Sequence, residues 1–321
     1  YCRRRFCLVS NNSFWSFSFN HLEYDEHGKV RRILNIDYLT RKIAPYSYII
    51  SKNECITLPG KNYSVRYFWL TDEQERMYEN VKDELLSYID EFDSTTIYRL
   101  FTGLQQVVSG NAITNVNPLR SKPMFENPLE NPRIKALLDE IDGIDEKIII
   151  WCKYKHEIED VCKVLSDKYG ESSVAKFYGD INLKDRNKEI EKFKNTAQFL
   201  VANKDCGGYG LNLQFCSCLI YYSNDFNWAT RAQSEDRVHR VDQDKEVRIV
   251  DICAYSKVDE RILKNLYRKE NLCDSFKREL KMKRQILSDW IDGKDDLYDT
   301  DRIIAEREAK RNQAVSLSIS N

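Results

Sequence analysis

Phe199-Leu200-Val201, Gly207-Gly208-Tyr209-Gly210-Leu211-Asn212-Leu213 and Leu219-Ile220-Tyr221-Tyr222 follow one another closely: an apolar run, a glycine-rich turn, a second apolar run. Neither apolar run alternates with polar residues, as expected of a strand covered on both faces. Upstream, Ile148-Ile149-Ile150-Trp151 precedes a helical pattern over about residues 156–169, and Ala175-Lys176-Phe177-Tyr178 precedes another over about 183–194. Downstream, a polar helical stretch leads to Val247-Arg248-Ile249-Val250-Asp251-Ile252. Continuous apolar strands separated by amphipathic helices specify an α/β fold, a parallel sheet with helices on both faces. Ligands of such sheets bind beyond the carboxyl ends of the strands, where the glycine turn and Lys153 are expected.

The helix expected before the last strand carries Gln233, Arg237 and Arg240. At about 100° per residue these fall within roughly 60° of one another, a single polar stripe. Two guanidiniums on one rigid face suit the charge that spreads over a transferring γ-phosphoryl group. Taken alone, the spacing favours an ordinary solvated helix face.

The chain before this region reads differently. Residues 1–60 are mixed and aromatic-rich, whereas Thr71-Asp72-Glu73-Gln74 supplies an N-cap and first turn for a helix to residue 88, with Met77, Tyr78, Val81 and Leu85 at helical spacing. Asn111, Asn115, Asn117, Pro118, Pro123, Pro128 and Pro132 give residues 110–132 the composition of a linker, and the main domain boundary is expected there. Beyond Ser256, Val258, Ile262, Leu266, Leu272, Phe276 and Leu280 continue a helical stripe, and the tail from about Asn312 loses periodicity and is expected to be disordered. The expected division is 1–60, 61–130, 131–270 and 271–321.

With 321 residues, 42% of them hydrophobic, the chain can bury a substantial core. Its 50 basic and 51 acidic residues nearly cancel, so a polyanion would be held by local patches and not by the overall field. Ten cysteines without a C-x-x-C pair fit a reduced intracellular setting better than a disulfide framework or zinc site. No apolar run is long enough for a membrane span and no signal-peptide pattern opens the chain, so a soluble, intracellular protein without membrane contact is expected. The chain opens at Tyr1 without an initiator methionine, within sequence of structured composition, and is read as a piece of a longer protein.

The order of the motifs narrows the reading. Trp151-Cys152-Lys153, then Phe177-Tyr178-Gly179-Asp180 with Arg186, then the glycine turn, then Gln233-Ser234-Glu235-Asp236-Arg237-Val238-His239-Arg240-Val241-Asp242-Gln243 resembles the second RecA-like lobe of Swi/Snf-type superfamily 2 ATPases over about residues 130–270. Leu58-Pro59, Thr71-Asp72-Glu73-Gln74 and Tyr78 are similar to the segment leading from the first lobe into the second. The resemblance implies that Arg237 and Arg240 are arginine fingers and that Gln233, Asp236, Gly208 and Gly210 lie against ATP. It also implies backbone-phosphate contacts to DNA, double-stranded and independent of sequence, from Lys153, Gly179, Arg186, Asn203, Lys204 and Trp228. ATP and Mg²⁺ would be bound mainly by a first lobe joined in the same protein; no oligomer is implied. The chain departs from the family where Asn203-Lys204 replaces Ser-Thr, Trp151-Cys152-Lys153 replaces Phe-Ser-Gln, Trp228 replaces proline and Asp242 replaces glycine. These departures leave the subfamily open, with a viral or bacterial member favoured over a chromatin remodeller.

No G-x-x-x-x-G-K-[ST] loop exists here, and Asp25-Glu26-His27 follows no apolar strand, so it reads as a surface turn. Cys216 and Cys218 read as small buried residues and no metal site is expected. Without a phosphate loop the chain is expected to be inactive alone, contributing one side of a bipartite ATPase site in a DNA translocase. A strand-separating RNA or DNA helicase lobe, or a non-catalytic binding module, are the alternatives.

Overall fold

A computed structural model describes residues 14–24, 28, 30–47, 56–87, 94–204, 211–269, 272, 275–276 and 284–294. The chain divides into two compact units, Tyr1–Thr57 and Leu58–Asn321. In the first, α1 (Phe14–His21) leads into an antiparallel pair, β1 (Leu22–Tyr24) and β2 (Val30–Ile33), followed by α2 (Ile36–Ile43).

The second unit is built on six strands: β3 (Lys61–Phe68), β6 (Ile148–Cys152), β7 (Val174–Phe177), β8 (Phe199–Asn203), β9 (Cys218–Tyr221) and β10 (Val247–Ala254). They pair in the order β3-β10-β9-β6-β8-β7, every pair parallel. Both faces are covered. One buries Ile148, Ile150, Val201, Ile220 and Ile252 among Ile134, Ile158 and Leu165; the other buries Ile149, Trp151, Leu200, Leu219 and Ile249 with Phe193, Leu213 and Val238. Each fully buried large aliphatic side chain contributes roughly 1.5–3 kcal/mol, which is why the strands need no alternation.

The helices start where short polar side chains satisfy orphan N–H groups. In α3 (Asp72–Ser87) the caps are reciprocal: Gln74 N–H donates to Thr71 Oγ1 (3.2 Å) and Thr71 N–H to Gln74 Oε1 (3.1 Å). Asn131 caps α5 (Pro132–Ile141), Asn182 caps α7 (Leu183–Asn195) and Asn227 caps α8 (Trp228–Glu235), each accepting a first-turn N–H. The remaining helices are α4 (Ser94–Val108), α6 (Lys155–Tyr169), α9 (Val258–Arg268) and α10 (Arg284–Ile291). Past α10, Asp292 accepts from Tyr78 OH and Lys82 Nζ, both 2.8 Å, so this segment is docked on α3. Among the described residues no helix is long and apolar enough to cross a membrane.

Three expectations are corrected. Residues 110–132 are not an open linker: β4 (Asn111–Val116) and β5 (Leu119–Pro123) pair as an antiparallel hairpin, and the division between units falls at Thr57 and Leu58. Proline marks the hairpin's ends and turn, where a ladder donor is not needed. Lys61–Phe68, which the expected division sets apart from the α/β region at 131–270, is the outer strand of the main sheet. Finally, the helix expected to hold the arginine stripe stops at Glu235. The tail and Asp25-Glu26-His27 lie outside the described residues.

Candidate nucleotide and nucleic-acid interface

Beyond Glu235 the chain turns under contacts from outside the helix. Leu213 N–H donates to the Arg237 carbonyl (3.1 Å), removing it from any helical ladder. Asp242 takes φ 70°, a left-handed conformation that explains why glycine suits this position and which aspartate tolerates better than most residues. Gln243 is buried and fastens the segment: Nε2 donates to the carbonyls of Gln214 (3.0 Å) and Cys216 (2.9 Å), and Oε1 accepts from Lys245 N–H (3.0 Å). His239 Nε2 meets the Pro59 carbonyl at 2.8 Å, and Arg240 Nη1 donates to Asn212 Oδ1. Arg237 and Arg240 are thus carried on a braced turn, both partly exposed, beside residues 211–213, which follow the glycine turn. Gln233 and Asp236 are exposed at the end of α8. Gly208 and Gly210 lie outside the described residues.

Beneath this turn sits a buried polar cluster. Arg231 on α8 grips Asp251 on β10 with both terminal nitrogens (2.5 and 3.0 Å), lies 3.3 Å over the Tyr221 ring, and donates Nε to Glu235 (2.8 Å). Glu235 also accepts from Lys61 Nζ (2.7 Å) and Tyr63 OH (2.8 Å). Although burial opposes it, the adjoining Arg231 and Lys61 charges hold the Glu235 carboxyl down at about 2. The cluster therefore locks α8 onto both β10 and β3.

At the carboxyl ends of β6 and β8, Lys153, Asn203 and Lys204 come together. Asn203 Nδ2 donates to the Lys153 carbonyl (2.7 Å). Lys153 Nζ donates to Gln105 Oε1 (2.8 Å) and sits 3.3 Å over the Phe226 ring, and burial lowers its ammonium to about 7. Lys204 is 6% exposed, donates to the Ser223 carbonyl (3.3 Å), and is lowered by burial to about 8. The loop is organised by Glu157, whose Oε2 accepts from the N–H groups of Lys153 (3.1 Å) and Tyr154 (3.0 Å) and from Ser223 Oγ (2.5 Å). Its Oε1 accepts from Ser109 Oγ (2.5 Å) and faces Arg133 at 3.7 Å; Arg133 in turn pairs with Asp259.

Against this geometry, residues 132–242 match the family described as helicase conserved C-terminal domain. The matched segment is similar to a helicase C-terminal domain, and the fold is the one shared with the Swi2/Snf2 ATPases. An uncharacterized ATP-dependent helicase of Mycoplasma genitalium is 25% identical over 77% of this chain and 24% of its own length. The DNA repair and recombination protein RDH54 of Saccharomyces cerevisiae is 28% identical over 58% of this chain and 20% of its own. The C-terminal part of the Fun30 ATPase domain superposes with a TM-score of 0.56 at 18% identity, covering 73% of this chain and 99% of that one. The Sulfolobus solfataricus SWI2/SNF2 ATPase core in complex with dsDNA gives 0.54 at 21% identity, covering 87% and 60%. The chain spans about a quarter of the length of the curated relatives it matches: 24%, 27% and 20% for three of them.

Within the second unit the expected nucleic-acid residues do not form one surface. Gly179 is exposed, with nothing within 4 Å of where a Cβ would stand, but Arg186 is 7% exposed and donates back to the Gly179 carbonyl. Lys204 is likewise turned inward, its Nζ donating to the Ser223 carbonyl and lying 5.3 Å over the Tyr221 ring. Trp228 stands apart at the first turn of α8, 39% exposed, with Lys269 Nζ 5.3 Å over its ring. Cys216 and Cys218 are buried thiols, pushed up to about 12 and about 11 by that burial.

The sequence reading missed Glu157, Arg231, Glu235 and Asp251. One signal was present: Asp251 interrupts an otherwise apolar buried strand, and a carboxylate there requires a buried cation. Arg231 and Glu235, four residues apart on a helix, were the available partners.

Proposed function

We propose that this chain is the C-terminal motor lobe of an ATP-dependent translocase acting on double-stranded DNA. The observation that carries the reading is the braced turn of residues 236–243, which presents Arg237 and Arg240 while Gln243, His239 and the Leu213 bond hold its backbone. Donors fixed before charge develops stabilise it without reorganisation. The partly exposed guanidiniums, with Gln233 and Asp236 beside them, fit the phosphates of a nucleotide held on a first lobe, whereas this chain offers no phosphate loop of its own. ATP bound there would supply the phosphoryl group and Mg²⁺ would neutralise its charge, while Arg237 and Arg240 would stabilise the charge that develops on it. Arg237 and Arg240 would enter only when the lobes close, which couples turnover to an alternating grip on DNA. Lys153, Asn203 and Gly179 line the DNA side, with Arg186 shaping the Gly179 loop from behind and Trp228 an added contact. Such contacts are to the backbone, so binding would be independent of sequence. The DNA-bound Sulfolobus core and the DNA repair relative support DNA over RNA.

In the full-length protein, Arg237→Ala or Arg240→Ala is expected to lower DNA-stimulated ATPase activity by roughly 10³-fold or more, with DNA affinity nearly unchanged. Wild-type turnover in either variant would sink the assignment.

A further inference from the structure

The chain's charges are evenly mixed except in one place. Residues 94–125 carry Arg99, Arg120 and Lys122 and no aspartate or glutamate, where a stretch of this length at the chain's average would hold about five acids. This stretch is α4 and the β4–β5 hairpin, and it contains none of the motifs named above. Elsewhere surface cations are matched, as Arg66 is by Asp139, Lys155 by Asp180 and Arg248 by Glu140. Among the described residues no ion pair involves Arg99, Arg120 or Lys122.

The hairpin is fastened to α4. Leu119 Cδ1 lies 3.5 Å from where a Cβ of Gly103 would stand, Ser121 Oγ donates to Gln106 Oε1 (3.4 Å), and Met124 N–H closes the base on the Gly110 carbonyl (2.9 Å). With Ser121 turned to the helix, Arg120 and Lys122 share the opposite face of β5, and both are exposed. The same helix adjoins the loop that carries Lys153. Gln105 Oε1 accepts from Lys153 Nζ (2.8 Å) and Tyr154 OH (3.0 Å), and Asn111 Nδ2 meets His156 Nε2 at 2.7 Å. Tyr98, about two turns before Gln105 on one stripe of α4, is half exposed, and its ring lies 5.7 Å from Lys153 Nζ. Arg99 follows it, partly exposed.

We propose that α4 and the β4–β5 hairpin make a second contact with the DNA backbone, through Arg99, Arg120 and Lys122; this rests on the reading that the Lys153 loop beside them meets DNA. A nearly neutral protein holds a polyanion by local patches, and an acid-free surface spares the phosphates the repulsion that most of this chain would offer. Cations on a fastened hairpin neutralise phosphates whatever the base sequence.

Binding of the full-length protein to a blunt duplex, followed over a range of salt, tests this. Each phosphate contact adds about 0.9 to the slope of log affinity against log salt, which is about fivefold in affinity at roughly 0.15 M salt. Arg99→Gln, Arg120→Gln and Lys122→Gln together should lower the slope by about 2–3 and the affinity about 100-fold, with the urea midpoint unchanged because none of the three is buried. Duplexes of unrelated sequence should lose alike, and unequal losses would overturn the assignment to the backbone. A slope within about 0.5 of wild type in the triple variant, while Lys153→Gln lowers it, overturns the proposal and leaves the reading of the loop standing. Salt-independent binding by the wild type, or no change in either variant, overturns that reading as well.

Discussion

Replacing Glu157 by alanine should be the most damaging single change in the loop that carries Lys153. The carboxylate is 1% exposed and accepts four hydrogen bonds, two from the backbone N–H groups of Lys153 and Tyr154 and two from the hydroxyls of Ser109 and Ser223. The hydroxyls can turn to other acceptors, but the Tyr154 N–H has no alternative, and each stranded buried donor costs about 1–1.5 kcal/mol. Arg133 keeps Asp259 yet loses its second anion at 3.7 Å, adding about 1–2 kcal/mol in a site from which water is excluded. Lys153 N–H keeps Ser223 Oγ (2.7 Å), so the sum is about 3 kcal/mol, a large share of the stability of an ordinary domain. Glu157→Gln can still turn its carbonyl to the two backbone donors and should cost about half as much. Urea denaturation of both variants against wild type measures this. A loss below about 1 kcal/mol in the alanine variant, or no gap between the two, would refute the view that Glu157 organises the loop.

Arg231→Lys, which keeps the charge but cannot grip Asp251 with two nitrogens while also reaching Glu235, is expected to cost about 2–3 kcal/mol by the same measurement; a neutral result would contradict the geometry. Glu235 sits below its ordinary value of 4.5, at about 2, so it contributes stability above pH 4.5 that is lost as pH falls toward 2; thermal melts should show Glu235→Gln flattening that acid limb, and an unchanged limb would refute it. Lys204→Met should leave the salt dependence of DNA binding unchanged and stability equal or up to about 1 kcal/mol higher, because it removes a buried, desolvated ammonium; a shallower salt slope would return Lys204 to the DNA path.

The strands of the parallel sheet were legible because burial on both faces leaves uninterrupted apolar runs such as Ile148-Ile149-Ile150-Trp151. The start of α3 was legible because Thr71 and Gln74 cap each other locally. The outer strand β3 was not, though Lys61-Asn62-Tyr63-Ser64-Val65-Arg66 alternates with period two: its aromatic-rich surroundings hid an edge pattern among runs of a different kind. The end of α8 was illegible for another reason. No proline or glycine marks an end at Glu235, and the turn that follows is held by Leu213, a partner 24 residues back in the chain. The single stripe expected of Gln233, Arg237 and Arg240 was therefore wrong, because the helix that would have carried it ends first. Arg186 and Lys204 show the same limit, since a cation turned inward and one turned outward are identical in sequence.

The pairing of Lys61–Phe68 with Val247–Ala254 also sets an order of assembly. These partners are separated by almost the whole second unit, so the outer strand has no place to dock until β10 has left the ribosome, and closing so long a loop is slow. Helices α3 and α4 and the hairpin β4–β5 are made first and must wait. Truncation anywhere before residue 254 should leave β3 an orphan with its apolar face uncovered, prone to association while the shorter chain persists.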